Sequence, residues 1–131
     1  MSGITDLQET LNSIKVICDE IEYGFVSLKD ESIIDRNKVL ATFQENGRLA
    51  VIAPLSYLND IGVESEGPYA KLTIDIHTSL ELVGLTAVTA TKLAVHGISA
   101  NVVAAFYHDH VFVQYNLKDK AQELLESLKS G

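Results

Sequence analysis

Tryptophan is absent from the 131 residues, cysteine occurs once and proline twice. A lone Cys18 cannot form an intramolecular disulfide, a Cys-x-x-Cys redox pair or a multi-cysteine zinc site, and it makes the reducing cytosol the expected compartment. Basic residues are also scarce. Ten Lys and Arg against eighteen Asp and Glu give a formal charge of -8, with no basic run as a local exception, so nucleic acid and anionic membrane are excluded as partners. No apolar run reaches the roughly 18 residues of a membrane span, and the opening MSGITDLQETL carries acids but no signal-type apolar core. A soluble cytoplasmic protein is expected. Gly-x-Ser-x-Gly, the phosphate-binding Gly-Lys-Ser/Thr and His-Glu-x-x-His are missing, so nucleophilic, nucleotide and zinc-protease chemistry lack their usual groups.

What the chain does have is apolar material, 47% of its residues. At this length about two thirds of the unfolded surface is buried on folding, enough for one compact domain or two small modules without a cofactor. Thr5 and Gln8 form a capping box ahead of Leu7, Leu11 and Ile14, which predicts a helix over residues 5–15. Residues 23–29 read as a strand. The polar stretch 30–38 fits neither period and stays open between a loop and a degenerate helix. Residues 39–44 and 49–53 are β-type runs around Asn46-Gly47, the signature of a type I′ hairpin. A short helix over 54–61 closes at Gly62, and Val63 to Pro68 reads as a linker, dividing the chain into modules 1–66 and 67–131.

In the second module Leu72, Ile74 and Ile76 alternate with polar residues, as in a strand with one buried face. An Ala-rich helix follows over 85–96 and stops at Gly97. Strands over 98–107 and 111–115 flank a turn at His108-Asp109-His110, and Asn116 caps an amphipathic helix with Leu117, Ala121, Leu124, Leu125 and Leu128 on one face. Each half therefore carries strand, connection, hairpin and helix. This is an α+β class of two ferredoxin-like βαββαβ modules, the first degenerate, with antiparallel sheets and helices on one face.

The segments Leu80 to Ala87, His96-Gly97-Ile98-Ser99 and Val103 to Val113 resemble ACT domains, in particular small bacterial two-module proteins related to CASTOR-type amino-acid sensors. Phe25-Val26-Ser27-Leu28 and Thr42-Phe43-Gln44-Glu45 before Gly47 look like that group's other module. Two departures stand out: residues 30–38 are poorly helical, and no strand follows the last helix to complete the second module. That strand is expected from the other module or from a partner.

The resemblance implies a regulatory, non-enzymatic protein that binds a small ligand, an amino acid, at a module boundary. In chemical terms, the loop 78–84 lies between a strand end and a helix start, where free backbone N–H groups and the helix dipole favour a carboxylate. Thr78, Ser79, Glu81, Val83, Gly84 and Leu85 are the candidate ligand-binding residues, with Asn101 or Glu81 as acceptors for a ligand ammonium. No catalytic residue, metal ligand or cofactor is assigned. The alternatives are a metal-dependent enzyme using His108, Asp109 and His110, or a structural dimer without ligand. His77 and His96 read as structural, and the acids beside Cys18 oppose a reactive thiolate. Exposed strand edges favour a homodimer, and a regulated protein partner would read its state.

Overall fold

The computed structural model describes residues 8, 9, 11–76 and 84–130. Its contacts divide the chain into two units, one of Glu20–Tyr69 and one of Met1–Asp19 with Ala70–Gly131. The expected boundary at 66/67 falls near the second of these breaks. The N-terminal stretch, however, joins the C-terminal half.

In the 20–69 unit, strand β2 (Tyr23–Leu28) pairs antiparallel with β4 (Arg48–Pro54), and β4 with β3 (Ala41–Glu45). Asn46 and Gly47 connect β3 to β4 with φ of 51° and 84°, the positive pair that a type I′ turn requires. Between β2 and β3 the chain makes two 3-10 turns, Glu31–Ile33 and Arg36–Lys38, headed by Asp30 and Asp35 whose carboxylates accept from Ser32 N and Asn37 N. These Asx turns take the place of a full helix. The short helix α1 (Leu55–Asp60) buries Leu58 against Leu28, Leu49, Val51 and Ala53. Residues Glu66 to Tyr69, the start of strand β5 (Glu66–Asp75), then pair with β2, giving the order β3-β4-β2-β5. The stretch read as a linker is thus partly strand.

Strand β5 runs on to Asp75 (Glu66–Asp75) and begins the other unit. Its alternation is clear: Ala70, Leu72 and Ile74 enter the core, leaving Lys71, Thr73 and Asp75 on the opposite face. Helix α2 (Leu85–Ala94), the hairpin of β6 (Asn101–Ala104) and β7 (Asp109–Gln114), and helix α3 (Lys118–Glu126) follow. Both helices cover one face, through Leu85 and Leu93 on α2 and Ala121, Leu124 and Leu125 on α3. The completing strand comes from upstream. Strand β1 (Lys15–Cys18) pairs with β5 from Lys15↔Asp75 to Cys18↔Leu72, giving the order β1-β5-β7-β6. Each unit so has the same strand order, that of a βαββαβ fold with the fourth strand position beside the first; in the 20–69 unit 3-10 turns stand for the first helix, and in the other the fourth position is filled by β1.

Several expectations are corrected. The helix predicted over 5–15 is helical at residues 8, 9 and 11, its earlier part lies outside the described residues, and the chain is extended from Lys15. The turn between β6 and β7 is not at His108-Asp109-His110. It centres on Phe106 and Tyr107, with Ala105 N–H donating to the His108 carbonyl at 3.0 Å. The register Ala104↔Asp109 draws Asp109 and His110 into the strand. Asn116 is not the cap of α3, since Tyr115–Leu117 form a 3-10 turn and Leu117 takes that position.

Candidate functional site

Helix α2 starts on a glycine in the left-handed region. Gly84 has φ 96° and ψ -10°, a conformation that costs an L-residue about 1–2 kcal/mol. The first rung of the helix is Val88 N–H to the Gly84 carbonyl, at 2.9 Å. The amides of Leu85, Thr86 and Ala87 precede that ladder, and among the described residues none has an acceptor. Leu85 is itself buried in the core, which anchors the turn. Thr89, also buried, donates to the Leu85 or Thr86 carbonyl at 3.1 and 3.0 Å, closing the inner side of the first turn. The outcome is a helix end with N–H groups and the positive end of the dipole presented together.

Gly84 and Leu85 are thus brought to one place. Thr78, Ser79, Glu81 and Val83, with His77, lie outside the described residues. Asn101 is elsewhere in the unit: it opposes Phe112 in the hairpin, three register positions from Ala104↔Asp109, or roughly 10 Å along the strand. Val102 packs on the core, so Asn101 is on the other face of the sheet, and it is exposed.

The acidic group at the start of α2 is one that the sequence reading had assigned to a turn. Asp109 Oδ2 accepts from Thr86 Oγ1 at 3.3 Å. Its neighbours in sequence look the other way, as strand alternation demands. His108 Nε2 lies 3.2 Å from Asp75 Oδ1, and His110 Nδ1 is hydrogen-bonded to Thr73 Oγ1 at 2.9 Å. Next along the same face Lys71 Nζ pairs with Asp19 at 3.2 Å. Burial, then the Lys71 and His108 charges, hold the His110 imidazole below its ordinary 6.5 against the opposing pull of Asp109 and Asp19.

This alternation also bears on the metal alternative. The two imidazoles share a face with ring centroids 6.5 Å apart, but each already has a partner on β5, and Asp109 is turned to the helix side. The three cannot converge on one ion. Among the described residues no group of three His, Cys, Asp or Glu is placed to hold a metal. His96 Nδ1 lies 3.0 Å from the Lys92 carbonyl at the end of α2, and Cys18 is half-buried against the core. No described helix is long and apolar enough to cross a membrane.

Comparison with known proteins gives two family matches, both to the ACT domain, over residues 2–70 and 64–127. A solved structure of a Vibrio cholerae protein of unknown function, described as a possible transport protein, is 36% identical with a TM-score of 0.87, over 98% of this chain and 99% of that one. An Agrobacterium tumefaciens protein is 20% identical with a TM-score of 0.70, over 88% and 89%. The ligand-free regulatory subunit of aspartate kinase from Thermus thermophilus is 12% identical with a TM-score of 0.62, over 88% and 95%, a likeness of fold. No curated protein matches.

Proposed function

Since this chain belongs to the ACT-domain family, we propose that it is a non-catalytic regulatory protein of the cytoplasm whose ligand is a free amino acid bound at the start of α2. The observation that carries this reading is the left-handed Gly84 with the first-turn amides of Leu85, Thr86 and Ala87, which have no acceptor among the described residues. Those N–H groups suit an α-carboxylate, and the missing side chain at Gly84 lets it approach the backbone. The ligand ammonium would need an oxygen acceptor, for which the sequence offers Glu81. The fold itself supports the reading, because it also serves as the regulatory subunit of an aspartate kinase.

Regulation on this scheme is a population shift. A ligand that binds one arrangement of a homodimer better than another moves the balance by its difference in affinity, about 1.4 kcal/mol for each tenfold. A partner protein would read the change. The test is a melting-temperature screen of the twenty amino acids against wild type and Gly84→Val. One amino acid should stabilise the wild type and not the variant. Stabilisation by none, at concentrations up to the millimolar range, refutes the proposal.

A further inference from the structure

Helices α2 and α3 cover the same face of the sheet, yet they meet solvent differently. The exposed positions of α3 are Asp119, Lys120 and Glu123, the charged side expected of a surface helix. Helix α2 has no such side. Its exposed positions include Ala87, Thr91 and Ala94, with Val95 directly after them, and its one charge is Lys92. Val95 is 69% exposed, whereas no other exposed Val, Leu or Ile among the described residues passes 44%. Beside it runs an open groove of about 370 Å³, lined by Ala87, Val88, Thr91, Lys92, Val95 and Leu128. The core side of α2 is already filled by Leu85, Thr89 and Leu93, so the fold of the unit does not require this second apolar side.

We propose that this side of α2 is the interface of a homodimer, in which two copies pack their α2 helices antiparallel about a two-fold axis at Thr91. Charge selects a second copy as the occupant. Chains of charge -8 repel each other wherever acids face acids, but from Gly84 to His108 there is no Asp or Glu among the eighteen of the chain. A basic partner would be drawn to the acids elsewhere. Spacing fits the same occupant: Val88, Thr91 and Val95 follow one stripe of the helix, so an axis at Thr91 sets Val95 of each copy against Val88 of the other, at the groove that Leu128 helps to line. Lys92 lends its aliphatic stem to the groove and keeps its ammonium in water. The strand edges offer less, since β1 and β6 at the two sides of this sheet are four residues each. A contact of one ten-residue helix per copy is small, about 15 Å long, and corresponds to a micromolar dimer. It holds whichever ligand the protein takes.

The experiment is sedimentation of the full chain, from about 1 to 200 µM, as wild type, Val95→Glu and Val95→Ile. Wild type and Val95→Ile should pass from one chain mass to two over this range. Val95→Glu, which puts a carboxylate at each end of the contact, should weaken the dimer at least tenfold while leaving the melting temperature of the dilute monomer in place, because the side chain is exposed there. Added salt should strengthen the wild-type dimer by screening the net charge. A second measurement replaces Cys18 by Ala and adds Thr91→Cys. Helices packed about 8–10 Å apart bring facing backbone positions within the span of a disulfide, so mild oxidation should link two copies, whereas Glu123→Cys on the exposed side of α3 should not link. A wild type that stays monomeric to 200 µM overturns the proposal, as does a dimer that Val95→Glu leaves intact or that Thr91→Cys fails to link; the last two move the contact to another face, such as the edge of β6.

Discussion

Gly84 gives the sharpest test of how α2 begins. Its φ of 96° is open to glycine, tolerated by asparagine and unfavourable for a β-branched residue. Replacing it in the series Asn, Ala, Val should therefore cost about 0.5–1, 1–2 and 2–3 kcal/mol, the last including crowding by two γ-carbons. With an unfolding entropy of about 2 cal/mol/K per residue over 131 residues, each kcal/mol lowers the melting temperature by roughly 3–4 °C. The expected losses are about 3, 5 and 9 °C, read by circular dichroism. Ligand at a hundred times its Kd adds about 2.7 kcal/mol to a competent site, a rise of about 10 °C. Gly84→Asn should keep part of that rise and Gly84→Val none. Equal stability across the series would show that the helix does not need the left-handed start. A full ligand effect in Gly84→Val would move the site elsewhere.

Other perturbations reach different parts of the molecule. An unfolded chain takes up the His110 proton near 6.5, and the folded one only at lower pH, so the contribution of the neutral imidazole is intact above about 6.5 and lost as pH falls through that interval. The urea midpoint should therefore drop more between about pH 7.5 and 5.5 in wild type than in His110→Asn, and parallel slopes would refute the assignment. Ser65 Oγ is buried without a hydrogen-bond partner among the described residues. Ser65→Ala should raise stability by up to about 1 kcal/mol in urea titration, and a loss would mean that the hydroxyl is satisfied in solution. In Gly24→Ala the new Cβ would lie 2.5 Å from Ser65 Oγ and 2.9 Å from Leu58 Cδ1. The substitution should cost about 1–3 kcal/mol, partly relieved in Gly24→Ala with Ser65→Gly; additive effects in a double-mutant cycle would argue against the clash.

Periodicity carried the parts of the fold that one strand or helix can announce by itself. Leu72, Ile74 and Ile76 declared the buried face of β5, Asn46-Gly47 declared the hairpin, and Gly97 the end of α2, because each is a local constraint on φ or on which side meets the core. The reading stopped where the deciding interaction is distant. Val16 and Cys18 form a strand only because β5 lies beside them, and four residues are too few to show alternation against a preceding helical pattern. The strand that seemed missing at the end of the chain was present at its beginning. The stretch 30–38 resisted assignment for a local reason, since Asp30 and Asp35 each divert the backbone into an Asx turn before a helix can propagate.

That Gly84 begins α2 was legible because it stands as a turn residue between an amphipathic strand and an Ala-rich helix. The role of Asp109 was not, and the reason is a matter of register. His-Asp-His next to aromatic residues has the composition of a hairpin tip, but moving the turn back to Phe106 and Tyr107 converts three clustered side chains into an alternating strand. That shift separates the acid from the imidazoles and undoes the metal site that their spacing suggested. It also places a carboxylate at the start of a helix whose amides were expected to receive one from a ligand. A helix end already neighboured by a negative charge favours a ligand whose own carboxylate is accompanied by a cation, because Asp109 repels a simple anion and attracts the ammonium of a zwitterion at the same distance. On the proposed reading of the site, the Asp109 charge beside Thr86 would therefore favour an amino acid over a keto acid or an inorganic anion.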